Sequence, residues 1–399
     1  MPDAQLLPFG LDDAPSRTVV QYQSLTGQGE VSTWTSTENE VYMLIPTDGV
    51  LTNMWCKASV APGVGTSWSI AVRQNNTTTS LACPISGTST FGSSKYRLSV
   101  SAGDVVNLIS TPTSSPTAAT MTGAVEFHPN NPDESILIGG PGDVSIPGSG
   151  TRHYCLHGIA NGATTESDVY TIIPEFGGGT FGYITKLYVW LESPPASSAS
   201  RTFEIRKNGT LTGMSVTISG LSTSGNTTNS INVNQGDYIS LHQTGTSSPT
   251  ATKAAWGIVI EPVRVGEYLI CGVSGASIDT IGSGYEYNRL ATGNSSWTST
   301  KTDKVVGGQF QHFVRSMGVR LTRAPGGVGK AHEFYIENPS SGGPRVYVEN
   351  AAVFNNTTEM CYGLKNAGNA NIRHLAYNSP AVATASWSMQ MRYIPPGGL

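Results

Sequence analysis

Seven histidines, five cysteines and 27 carboxylates are the side chains of this 399-residue chain best able to do chemistry. Their spacing fits no familiar reaction. A serine nucleophile elbow needs Gly-x-Ser-x-Gly. Ser274, in Gly272-Val273-Ser274-Gly275, has the wrong spacing for it. Pro325-Gly326-Gly327-Val328-Gly329-Lys330-Ala331 has the flavour of a phosphate loop. A true P-loop carries Gly five residues before the Gly-Lys glycine and a Ser or Thr after the Lys. Ala324 and Ala331 stand at those places, so a long hairpin loop is expected. His153, Cys155 and His157 form a stripe on one face if the segment is a strand. The residue types suit zinc, but a fourth ligand is not evident. No Asp-rich calcium loop of EF-hand type is present. Glycoside hydrolysis needs two facing carboxylates, and no acidic pair recurs at equivalent places in the chain. Cys56, Cys83, Cys155, Cys271 and Cys361 include no CxxC and read as small core residues. A Cys56–Cys83 bridge is the one pairing worth considering, and synthesis in a reducing compartment argues against it. No catalytic residue, metal or cofactor is expected.

The aromatic residues point to binding or packing. Trp256 and Trp387 belong to strand-like runs and read as core. Trp34 and Trp297 sit among Ser and Thr near loops, where they could stack on sugar rings. They are the candidates for a glycan site.

The elements that would carry these residues come in repeats. Val72-Arg73-Gln74-Asn75 reappears 133 residues on as Ile205-Arg206-Lys207-Asn208. Val100-Ser101-Ala102-Gly103-Asp104 returns as Val233-Asn234-Gln235-Gly236-Asp237 at the same offset, and Ser115-Pro116-Thr117-Ala118 as Ser248-Pro249-Thr250-Ala251. A diverged third copy is marked by Ile336-Glu337-Asn338, Ser379-Pro380-Ala381-Val382 and Pro395. Self-similarity at a fixed period marks a repeat architecture. Within each copy, apolar and polar residues alternate, as in Phe203 to Arg206, and Asn208-Gly209 supplies a hairpin turn. Gly-Asp pairs mark tight turns, with Gly providing an unusual φ and Asp bonding the backbone two residues on. No capped helical period is sustained.

An all-β fold follows: three tandem jelly-roll-like β-sandwiches behind a short N-terminal arm. A unit this long exceeds the ~100 residues of an immunoglobulin sandwich and suits an eight-stranded jelly roll. The expected boundaries are an arm at 1–16, repeats at 17–130, 151–262 and 266–395, and a linker at 131–150. The arm carries Leu6, Leu7, Phe9 and Leu11. Such residues do not stay free in water, so the arm is expected to dock into a neighbouring subunit, as an added strand.

Only 13% of the residues are charged and the net charge is −4. That excludes a charged coiled coil and a general attraction to nucleic acid. No run of ~18 apolar residues provides a membrane span. The first ten residues lack the basic start and apolar stretch of a Sec signal, so cytoplasmic synthesis with release by lysis or a non-Sec route is expected.

The repeated Val-x-x-Gly-Asp turns (100–104 and 233–237) and Ser-Pro-Thr-Ala loops (115–118 and 248–251), in a chain of tandem β-sandwiches, resemble the virion structural proteins of tailed bacteriophages. Head decoration proteins, head fibres and tail components are of this kind. The resemblance implies a non-enzymatic structural protein that assembles as a homo-oligomer, with trimers frequent, and docks on other virion proteins. Two alternatives stand beside it. One is a subunit of an extracellular filament that polymerises through the arm. The other is a glycan-binding adhesion module that meets host surface glycans through Trp34 and Trp297.

Overall fold

In the computed structural model, the residues described are all except 1–3, 11–12, 27–33, 141–143, 160–161, 176–178, 275, 281–283, 301–310, 339–340, 358–361, 366–369 and 394–399. The fold is all-β. The first domain contains β1 (Gln5–Gly10), β2 (Gln21–Gln23), β3 (Met43–Leu44), β4 (Gly49–Ala58), β5 (Gly63–Gln74), β6 (Thr77–Gly87), β7 (Phe91–Ser94), β8 (Leu98–Val100), β9 (Val105–Thr113) and β10 (Met121–Pro129). One sheet has the order β1-β10-β4-β7, with β8 also on β4. The other has the order β2-β9-β5-β6, with β3 also on β9. The first strand thus lies beside the last and the second beside the next to last, which is the winding of a jelly roll. The second and third domains repeat both sheets.

The arm is not an arm. β1 pairs along its length with β10, from Gln5 opposite Phe127 to Gly10 opposite Thr122. It is the first strand of the first sandwich. The expected linker likewise contains the first strand of the second sandwich, Ser135–Gly140, which pairs with Ala254–Pro262. In the third domain, Glu267–Ser274 pairs with Ala385–Tyr393 in the same way. The repeats therefore begin near residues 4, 134 and 267. Leu7 and Phe9 enter the first core, and Leu6 enters the core of the third domain. Leu11 lies outside the described residues.

That last contact shows how the domains are arranged. Ile136 and Ile138 of the second domain join the first core, and Leu269 and Cys271 of the third join the second. Each first strand thus serves its own sandwich with one face and a neighbour with the other. A strand covered on both faces reads as a continuous apolar run rather than an alternation, as Ser135-Ile136-Leu137-Ile138-Gly139 does. The last strand of the first domain, Met121–Pro129, is also buried throughout.

The seams are built alike. Leu44 and Pro46 lie over Gly257, where no side chain would fit. Ile172 and Pro174, in the matching stretch of the second domain, lie over Gly318. The backbone N–H of Ile172 also donates to Ser388 Oγ at 3.2 Å. Between the third and first domains, Arg289 Nη1 donates to the Gly10 carbonyl at 2.6 Å. First meets second, second meets third and third meets first. The three jelly rolls thus close into a ring, with one sheet of each turned towards its neighbours.

Candidate functional site

The side chains expected to be inert are held so by burial. Cys56, Cys83, Cys155 and Cys271 are free and buried. Burial pushes the thiols of Cys83, Cys155 and Cys271 up to about 12 and that of Cys56 well above its ordinary value. They stay protonated, and a protonated thiol is a poor nucleophile. Cys83 Sγ meets the Met54 carbonyl at 3.2 Å rather than Cys56. Cys361 lies outside the described residues.

The His-Cys-His stripe is divided. His153 lies beside His242, with ring centroids 5.1 Å apart. Cys155 Sγ bonds the His157 carbonyl at 3.2 Å. Thr26 Oγ1 donates its one proton to the Pro8 carbonyl at 3.0 Å, so the 3.2 Å contact with His157 Nε2 requires the imidazole N–H to donate. This bond ties the first domain to the second. Among the described residues, no three His, Cys, Asp or Glu side chains group as metal ligands would.

The glycine loop before Ala331 is a hairpin loop whose amides are used internally. Gly326 N donates to the Asn350 carbonyl and Gly329 N to Asn350 Oδ1, both at 2.9 Å. The Gly-Asp turns are structural. Asp104 Oδ2 accepts from Ser101 N at 2.7 Å, which is backward along the chain rather than two residues on. Its other oxygen accepts from Asn75 Nδ2 at 2.7 Å, and Asn75 Oδ1 accepts from Val105 N at 3.0 Å. Asp237 and Asn208 make the same bonds in the second domain.

Single carboxylates recur at equivalent places, each held by a cation rather than facing a second acid. Glu38 pairs with Arg73 at 2.6 Å, and Glu166 with Arg206 at 3.0 Å, each from a short 3-10 turn. On the inner sheets, Lys186 Nζ bonds Glu134 at 2.8 Å, and Thr47 of the first domain donates to the same carboxylate. In the third domain Glu267 receives Arg315 and Gln390. Glu134 and Glu267 stand just before or at the start of equivalent first strands. Lys186 and Arg315 both sit at β-bulges, which re-aim side chains. The offset of 133 between the two glutamates is visible in the sequence. Their partners are not, because the bulge is not.

Trp34 and Trp297 cannot present a ring to a sugar. They are 4% and 9% exposed. Trp34 lies in the first core and Trp297 in the third. Trp297 stands 5.6 Å, centroid to centroid, from both His374 and Trp387.

The aromatic surface lies elsewhere, on the outer sheet of the third domain. This sheet has the strand order Glu286–Asn288, Asn371–Tyr377, Ala331–Asn338, Ser341–Glu349. The Arg373 guanidinium stacks between two rings, 3.9 Å from the centroid of Tyr285 and 3.5 Å from that of Tyr335. Arg345 covers Tyr335 at 5.2 Å. Buried Glu333 accepts from Arg345 Nη1 at 3.2 Å, Tyr347 Oη at 2.8 Å and Tyr377 Oη at 2.5 Å. The hydrogen bond to Glu333 raises the Tyr377 phenol to about 12, so it remains a donor. Sequence reasoning missed this cluster. Its members are spread over residues 285–377 and meet only through strand register.

Neither a family model nor a curated protein sequence matches this chain.

Proposed function

We propose that the chain is a non-enzymatic structural protein of a virion, a capsid decoration, fibre or tail-surface component of the kind the sequence resembles in tailed bacteriophages. The observation that carries this reading is the closed ring of three jelly rolls within one chain. Its inner sheets are consumed by the seams, and its outer sheets on the first two domains present mainly Ser and Thr. A ring of this form suits a site of threefold symmetry on a larger particle. Low charge suits close packing, because like charges repel at short range. Any self-association runs through outer sheets and loop ends, because the inner faces are already covered. A filament built by donating residues 1–16 to a neighbour loses its support, since β1 is paired with β10 of the same chain.

The test is sedimentation of the tagged chain with the lysate that contains its particles, followed by electron microscopy. The virion reading expects stoichiometric recovery with assembled particles at fixed positions. Recovery only in the unassembled fraction, or helical polymers of the pure chain, would refute it.

A further inference from the structure

We propose that the outer sheet of the third domain is a recognition surface for an uncharged oligosaccharide, with Tyr347, Tyr377 and Arg345 as its contact residues. The inference is independent of the virion reading. The first argument is an internal control. Strand pairing places Arg345 opposite Tyr335, and Tyr335 opposite Arg373. The equivalent row is Ser215, Glu204 and His242 in the second domain and Ala82, Ala71 and Ile109 in the first. Tyr347 corresponds to Thr217 and Pro84, and Tyr377 to Thr246 and Thr113. The fold is built twice without these aromatic and guanidinium groups, so folding does not demand them.

The second argument is exposure with order. Tyr285 is 44% exposed, and Tyr347 and Tyr377 are each 37% exposed. The Arg345 side chain is 52% exposed. Yet the phenols of Tyr347 and Tyr377 are fixed by Glu333, and the guanidinium groups by the rings they cover. Groups held in place before binding lose little entropy on contact.

The third argument is charge. Arg345 pairs with Glu333 at 3.2 Å and Arg373 with Glu337 at 3.6 Å. The row is therefore balanced and offers no net attraction to phosphate or polyanion. Among the described residues of the sheet, the exposed large apolar-bodied side chains are Tyr347 and Tyr377, with Tyr285 just before its edge strand, and each offers a ring face and a hydroxyl together. Ring faces beside fixed donors and acceptors suit a hydroxyl-rich, uncharged ligand.

The full chain would be applied to an array of uncharged hexose and N-acetylhexosamine oligosaccharides, and hits measured by calorimetry. At least one oligosaccharide should bind, and Tyr347→Ala, Tyr377→Ala and Arg345→Ala should each weaken it tenfold or more. Thr217→Ala and Thr246→Ala, at the matching places in the second domain, should leave binding unchanged. Tyr377→Phe keeps the ring and separates its contact from the bond to Glu333. An array without hits overturns the proposal, as does binding that Thr217→Ala weakens as much as Tyr347→Ala. Dimers in sedimentation that Arg345→Glu dissolves would assign the face to a second copy and overturn it too.

Discussion

Phe9 on β1 stands directly opposite Gly123 on β10, and the next two domains invert the pair, with Gly139 opposite Trp256 and Gly272 opposite Trp387. One large ring and one glycine fill the same cross-strand site three times, but the ring comes from either strand. The glycine lets the ring lie across the neighbouring backbone, a pairing that offsets the weakness of glycine in a strand. In the later domains the indole N–H is also used: Trp256 Nε1 donates to the Leu156 carbonyl at 3.2 Å and Trp387 Nε1 to that of Leu290 at 3.0 Å.

The first prediction concerns these glycines. A Cβ on Gly139 would lie 2.6 Å from Trp256 Nε1, and one on Gly272 would collide with the Trp387 ring. Gly139→Ala and Gly272→Ala should each cost about 1–3 kcal/mol by overpacking. Urea denaturation followed by tryptophan fluorescence measures it. Unchanged midpoints would mean that the rings move aside freely.

How far these relationships could be read in advance depends on the range of the interaction. The 133-residue offset, the Asn-Gly hairpin and the Gly-Asp turns are local patterns, and each sits where the sequence puts it. Residues 1–16 read as an arm in the sequence because the partner of Gln5–Gly10 is more than 110 residues away and its second covering face comes from another domain. The absence of alternation, the usual sign of a strand with one wet face, was itself a sign of burial on both. Trp34 and Trp297 have Ser and Thr neighbours, which mark loops, yet both indoles turn into a core. The stack of Tyr285, Arg373, Tyr335 and Arg345 needs four strands in register, and no linear spacing encodes it.

The second prediction tests the paired Gly-Asp and Asn clamp. Asp237→Ala removes the acceptor of Asn234 N and of Asn208 Nδ2, bonded at 2.7 and 2.6 Å. Hydrogen bonds to a charged group contribute about 1.5–3 kcal/mol, so a loss near 2 kcal/mol is expected. The exchange rate of the Tyr238 amide, which Asn208 Oδ1 holds, should rise with it. Loss of stability without faster exchange at Tyr238 would place the effect outside the clamp.

The third prediction is a dependence on pH. Burial lowers His157, His312 and His332 from an ordinary value of 6.5 to about 4. The negative charge of Glu126 opposes the shift at His312 and nearby His128 favours it. His374, bonded to His332 at 2.9 Å, deepens the shift there, and the Ala381 carbonyl opposes it. Between pH 6.5 and 4 the unfolded chain binds protons that the folded chain refuses, so stability falls as the pH falls through that window and is level above it. The loss is on the order of 3 kcal/mol per histidine by pH 4. His157 and His312 lie at seams, the first bonded to Thr26 of the first domain and the second, bonded to Tyr268 of its own domain at 2.8 Å, within reach of the charges of Glu126 and His128 of the first. Acid should therefore loosen the ring early. Melting temperatures at pH 7.5, 6.5, 5.5 and 4.5 test this, and a flat profile below 6.5 would contradict it.

The fourth prediction asks what the buried carboxylates at the seams contribute. Glu134 is nearly inaccessible, and its partners are Lys186 from its own domain and Thr47 from the first. Removing one partner of a buried ion pair strands the other charge and costs about 3–5 kcal/mol, whereas replacing both with neutral groups can be close to neutral. Part of the Lys186 side chain is exposed, which screens the pair and places Lys186→Met at the lower end, about 3 kcal/mol. Adding Glu134→Gln should restore most of that loss, since the amide can still accept from Thr47. A double-mutant cycle in urea isolates the coupling. If the double variant is no more stable than Lys186→Met alone, the charge on Glu134 is not what Lys186 compensates. The seam would then owe its stability to the apolar contacts of Ile136 and Ile138 with the first core.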